Sequence, residues 1–84
     1  MRPMSRFYGF DKYQIGEIVL IDSPESLAAF ARTWKRHHPL HPRQFAFAGQ
    51  TAKIANSLLY HGGDILYELE DIPGLWHQQL LSPL

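Results

Sequence analysis

Apolar and polar positions change period along this chain, and the changes mark its elements. Tyr13-Gln14-Ile15-Gly16-Glu17-Ile18-Val19-Leu20-Ile21-Asp22 is a β-branched run opened by a glycine turn, the pattern of a strand placed inside a sheet. In Ile65-Leu66-Tyr67-Glu68-Leu69-Glu70 the residues Ile65, Tyr67 and Leu69 fall on one face, and such a strand requires an antiparallel neighbour. The segment Thr51 to Tyr60 supplies one. Its Ala52, Ala55, Leu58 and Leu59 also fit a helical stripe, but the turn that follows at once favours a strand. His61-Gly62-Gly63-Asp64 and Ile72-Pro73-Gly74-Leu75 then read as tight turns about ten residues apart, the spacing of a small all-β meander. In the second, Pro73 and Gly74 suit the central positions of a type II turn. Leu75 to Leu81 returns as a final short strand or a turn of helix.

Between the first strand and this meander the period becomes helical. Ser23 can cap free amides, Pro24 fits the first helical position where its missing N–H costs nothing, and Glu25 faces the positive end of the dipole. Leu27, Phe30, Ala31 and Trp34 form one apolar stripe. Pro39 disfavours helical geometry at His38, so the spacing predicts a helix over residues 24–37. Pro39-Leu40-His41-Pro42 follows as a stiff connector, and the alternation Phe45-Ala46-Phe47-Ala48 before Gly49 predicts a short extended piece. Residues 1–12 lack periodicity and read as a tail or lead-in strand whose Phe7, Tyr8 and Phe10 pack on the body, leaving residues 13–84 as one domain.

Length and composition narrow the classes. A chain of 84 residues with 45% hydrophobic and 19% charged residues has material for one modest core and is not disordered. The absence of cysteine excludes a disulfide scaffold, a thiolate metal site and a cysteine nucleophile, and suits a reducing cytoplasm. The longest apolar run, Ile18 to Ile21, is far short of the roughly 20 residues of a membrane span, and the first residues do not read as a signal peptide. Net charge is zero, yet Glu25 and Asp64 enclose only basic and uncharged residues, while Asp64, Glu68, Glu70 and Asp71 crowd together. The basic half offers Arg32, Lys35, Arg36, Arg43 and Lys53; the three nearest the helix end also complement its dipole.

A strand, an inserted segment and then three strands joined by tight turns resemble an SH3-like barrel over about residues 13–82. Within that class, Tyr13 to Val19, the linker His38-Pro39-Leu40-His41-Pro42-Arg43-Gln44-Phe45 leading to Gly49, and Leu66-Tyr67-Glu68-Leu69 ahead of Trp76 are similar in layout to the nitrile hydratase beta-subunit barrel. Leu40 stands where that family's linker has an arginine, and the metal-binding cysteines of that family belong to its partner subunit, so its chemistry does not carry over. The resemblance implies a mainly β, SH3-like barrel with one inserted helix, serving as an accessory subunit or docking module on a larger protein.

Candidate chemistry is sparse. His37, His38 and His41 lie within five positions, and with His61, Asp64 or His77 they define a His-ligated metal protein as a third reading, but no recognised ligand spacing accompanies them. His61-Gly62-Gly63-Asp64 is better explained by hairpin glycines, with Asp64 bonding its own turn, than by an anion nest. Ser57, His61 and Asp64 are the components of a hydrolytic triad without a nucleophile elbow. No catalytic residue, metal or cofactor is assigned. Trp34, Trp76, Tyr60, Tyr67, Phe45 and Phe47 are numerous for so small a core, with Trp76 the aromatic expected at the surface. The sequence thus points to a non-enzymatic, cytoplasmic protein-interaction module whose partner is a larger protein, contacted through Arg36, His38, His41, Arg43, Tyr60, His61, Asp64 and Trp76. A nucleic-acid-binding barrel using Arg32, Lys35, Arg36, Arg43 and Lys53 is the alternative.

Overall fold

The computed structural model describes residues 12–60 and 63–84. Five antiparallel strands, β1 (Ile18–Ile21), β2 (Thr51–Leu59), β3 (Ile65–Leu69), β4 (Ile72–His77) and β5 (Leu81–Pro83), form one sheet in the order β4-β3-β2-β1-β5. A single α-helix, α1 (Pro24–Thr33), and two 3-10 helices, Pro42–Phe47 and Gln78–Leu80, join them. The mainly β class and the helix after the first strand are those predicted. The sheet is open rather than closed into a barrel. It is nevertheless rolled: β4 and β5 occupy opposite edges yet only Gln78–Leu80 separates them. Flat edges would stand about 19 Å apart, four spacings of about 4.8 Å, whereas the four steps from His77 to Leu81 reach at most about 14 Å. The roll closes over Val19, Ile21, Ile54, Tyr67, Trp76 and, from α1, Leu27, all fully buried.

β2 explains the ambiguity of its own sequence. Ala52 and Ile54 face the core, but the register to β3 slips by one residue between Ile54 and Asn56, so the inward position next is Ser57. This bulge at Ala55 breaks strict alternation and imitates a helical stripe.

Local capping decides the helices. Ser23 accepts the Ser26 N–H at 3.1 Å, with Pro24 in the first turn and Arg32 in the last, as the sequence indicates. The helix stops at Thr33, four residues before the predicted end, and Pro39 is not the cause. Trp34 turns extended (φ −83°, ψ 113°), keeps its own N–H on the Phe30 carbonyl at 2.8 Å, and stacks on the Phe30 ring at 5.2 Å. The predicted extended piece at Phe45 to Ala48 is instead the end of the first 3-10 helix. Pro42 opens that helix, the His41 ring accepts the Arg43 N–H at 3.2 Å, and Gln44 Oε1 accepts the His41 N–H at 2.7 Å.

The turn predicted at Ile72-Pro73-Gly74-Leu75 is also displaced. Leu69 pairs with Ile72, so Glu70 and Asp71 make the turn, with Asp71 at φ 62°. Pro73 and Gly74 fall in a bulge of β4, where four steps oppose two on β3. The displacement follows from burial: Leu69 and Ile72 can then both turn to the core. The lead-in segment with Phe7, Tyr8 and Phe10 lies outside the described residues apart from Lys12, whose N–H bonds Tyr67 Oη at 3.0 Å and Gln78 Oε1 at 2.9 Å.

Candidate functional site

The β2–β3 hairpin sets one side of the site. The Tyr60 N–H donates to the Asp64 carbonyl at 2.8 Å and the Gly63 N–H to the Tyr60 carbonyl at 3.0 Å, with Gly63 at φ 91°, where a side chain would be strained. The hairpin is therefore the one predicted, although His61 and Gly62 lie outside the described residues. The carboxylate of Asp64 does not bond its own turn. It reaches the linker after α1, where His37 Nε2 meets Asp64 Oδ2 at 2.8 Å.

His37 is the hub of the other side. Its ring stacks on Tyr60 with centroids 3.7 Å apart and planes 21° from parallel, and its carbonyl accepts the Trp34 indole N–H at 2.6 Å. Its Nδ1 lies 2.8 Å from His38 Nδ1. With the Asp64 carboxylate oxygen as acceptor, His37 Nε2 is the donor and carries the proton of this contact. In the neutral pair, His37 Nδ1 is then the acceptor, His38 Nδ1 the donor, and His38 Nε2 keeps its lone pair. The chain of bonds runs from His38 through His37 to Asp64.

His38 holds its place at a cost. Its φ of 50° lies in the left-handed region, unfavourable by about 1–2 kcal/mol for a residue with a Cβ. Two bonds offset this: the ring contact with His37, and the His38 carbonyl, which accepts His77 Nε2–H at 2.8 Å. His77 is buried against Phe30 and Trp34, ring centroids 4.8 Å from each. Burial pushes its imidazole below the ordinary histidine value, outweighing the His38 carbonyl that favours the charged form; His37 and His38 add to the depression and Asp64 opposes it. A cleft of about 310 Å³ opens beside this cluster, lined by Trp34, Gly63, Asp64, Ile65, His77 and Gln78 among others.

The predicted site residues divide accordingly. His38, Tyr60 and Asp64 meet through His37, while Arg36 is exposed with its guanidinium 5.6 Å from the Trp34 ring. His41 and Arg43 are exposed at the start of the first 3-10 helix. Trp76 is not a surface residue. It is fully buried, with its indole N–H on the Pro73 carbonyl at 3.2 Å, because the β4 bulge turns it inward opposite Tyr67. The apparent aromatic excess is mostly core, as Tyr67 is buried and Phe45, Phe47 and Trp34 pack against the core from its rim. Arg32, Lys35, Arg36, Arg43 and Lys53 are all exposed, with Lys53 on β2 in register with Ile18. Ser57 is buried on β2 opposite Tyr67.

Sequence reading left Trp34, His37 and His77 out of the docking set, naming the two histidines only as possible metal ligands. Trp34 and His37 carried a faint signal, an indole three residues before the first of two adjacent histidines; nothing in the sequence joined His77 to them at a docking face. Among the described residues no group of three or more His, Asp or Glu is placed to hold a metal ion, and no helix is long and apolar enough to cross a membrane. No protein-family model, curated protein or solved structure matches this chain.

Proposed function

We propose that this chain is a non-catalytic protein-binding module, an accessory or adaptor piece of a larger bacterial-type complex, with the junction of the histidine linker and the β2–β3 hairpin as its docking face. One observation carries the reading. The linker and hairpin, 27 positions apart, are locked together by the His37–Asp64 contact and the His37–Tyr60 stack, so a patch of rings is already ordered before any partner arrives. Pre-ordered rings lose little freedom on binding; exposed Arg36 lies over the Trp34 ring beside them, and Arg43 is exposed further along, at the start of the first 3-10 helix, both with the charge and planar group that interfaces favour. The sheet edges are poor competitors for a partner. β4 carries Pro73 and a bulge, and β5 is three residues long and ends at Pro83.

The finer fold is, in this reading, an SH3-like barrel. A four-strand meander whose fifth strand returns to pair with the first, and a sheet rolled until its edges are bridged by one 3-10 turn, support it. The layout shared with the nitrile hydratase beta-subunit barrel supports an accessory role, and the cysteine-free composition supports a cytoplasmic one.

Exposure of all five cations, Arg32, Lys35, Arg36, Arg43 and Lys53, favours nucleic acid as the second reading. The two separate by affinity capture from the source cell, with and without nuclease, over a salt series. A protein partner recovered in stoichiometric amount after nuclease, and held as salt rises, is the expected result. Recovery of nucleic acid alone, lost steeply with salt as counterions are released, replaces it with the second reading.

A further inference from the structure

We infer that the His37–His38 pair is a two-proton latch: it accommodates one added proton without change and, on taking a second, releases the linker from the β2–β3 hairpin. The inference concerns the chain alone and needs no partner.

The geometry sets the count. The Nδ1 atoms of the two rings face each other at 2.8 Å, which requires one proton between them. With His37 Nε2–H on Asp64, the neutral pair holds one further proton, on His38 Nδ1, and His38 Nε2 is bare. A first added proton settles on His38 Nε2, while the shared proton serves either Nδ1; the bond survives and Asp64 balances the new charge. A second leaves a proton on both Nδ1 atoms. Two donors then oppose each other, and two cations with ring centroids 5.0 Å apart share, among the described residues, the one carboxylate of Asp64.

The surroundings decide which contact yields. Among the described residues, the titratable or charged groups around the pair are Asp64 of the hairpin, Tyr60 at the end of β2, His77 of β4 and, on the linker, Arg36 over Trp34. Asp64 is the one carboxylate among them. His77 is buried and resists charging, so it offers neither a second anion nor a place for the excess proton. His38 stands at φ 50° and relaxes when its ring bond is lost. The linker is thus held by a strained residue whose restraint is the bond that the second proton abolishes.

The two indoles of the chain report it. The Trp34 N–H is bonded to the His37 carbonyl and moves with the linker, whereas the Trp76 N–H is bonded to Pro73 in the core and serves as control. In a titration of the intact protein from about pH 8 to about pH 5, followed by NMR of the indole N–H groups and the histidine rings, the result expected is a shift of the Trp34 signal and loss of the Overhauser contacts between His37 and Tyr60, with Trp76 unmoved. His38→Asn, which tolerates the left-handed backbone and does not titrate, abolishes the transition. Retention of the His37–Tyr60 contacts when both rings are fully protonated overturns the inference. So does a transition that persists in His38→Asn, or one in which both indoles move together.

Discussion

Gln44 ties three elements together with one side chain. It is 3% exposed; its amide oxygen accepts the His41 N–H at 2.7 Å, and its amide nitrogen donates to the Leu75 carbonyl at 3.0 Å. It packs on Gly74, where an added Cβ would lie 2.9 Å from the Gln44 side chain and the backbone sits at φ 94°. Gly74→Ala therefore combines a left-handed penalty with displacement of a buried amide, and a loss of about 2–4 kcal/mol in urea unfolding is expected. His77 gives the second prediction at this scale. Its folded pKa is lowered, so the folded state resists binding a proton that the unfolded chain takes up at the ordinary value near 6.5. The stability contributed by the neutral ring is present above that value and is lost as pH falls from there toward the lower folded pKa. Urea midpoints measured across this window should fall with acid, and His77→Gln should flatten the fall. None of this was legible in sequence, because each contact joins positions far apart: Gln44 to Leu75, His37 to Asp64, His77 to His38. Trp76 was misplaced for a related reason. Its inward face is set by a bulge two residues before it, not by its own neighbours.

At the scale of elements, legibility follows locality. Ser23-Pro24-Glu25 carries its whole mechanism within four residues, and the helix begins where that signal says. Ser23→Ala removes the acceptor of the Ser26 N–H and should cost about 1 kcal/mol, read as a lowered urea midpoint with unchanged slope. The hairpin at Gly63 was legible in the same way, through a glycine in the left-handed region. The helix end was not. Trp34 leaves the helix to stack on Phe30 and pack on His77, a gain that exists only once β4 is in place. Likewise Pro73-Gly74 has the composition of a turn and the position of a bulge, because the core claims both Leu69 and Ile72. Turn chemistry specifies that a kink occurs; tertiary burial specifies which residues pair across it.

The whole molecule is a rolled sheet that carries its histidine linker against one hairpin. β1 and β2 pair directly although Ile21 and Thr51 are thirty positions apart, and the intervening chain of helix, linker and 3-10 helix covers the core before delivering β2. The linker is thereby placed beside the hairpin that β2 and β3 make. Charge segregation in the sequence anticipated part of this: the basic linker meets Asp64, the first acidic residue after it. The docking reading predicts that exposed residues beside the junction matter to a partner and not to the fold. Arg36 and Arg43 are both exposed, so Arg36→Ala with Arg43→Ala should leave the urea midpoint near that of the parent chain. The decisive measurement is capture from nuclease-treated lysate of the source cell by parent and double variant side by side, followed by affinity determination with the recovered partner. The account predicts one stoichiometric protein whose affinity for the double variant is weaker by about tenfold or more, the loss expected when arginines that anchor an interface are truncated. A partner bound equally by both proteins, or only nucleic acid in the untreated control, would contradict it.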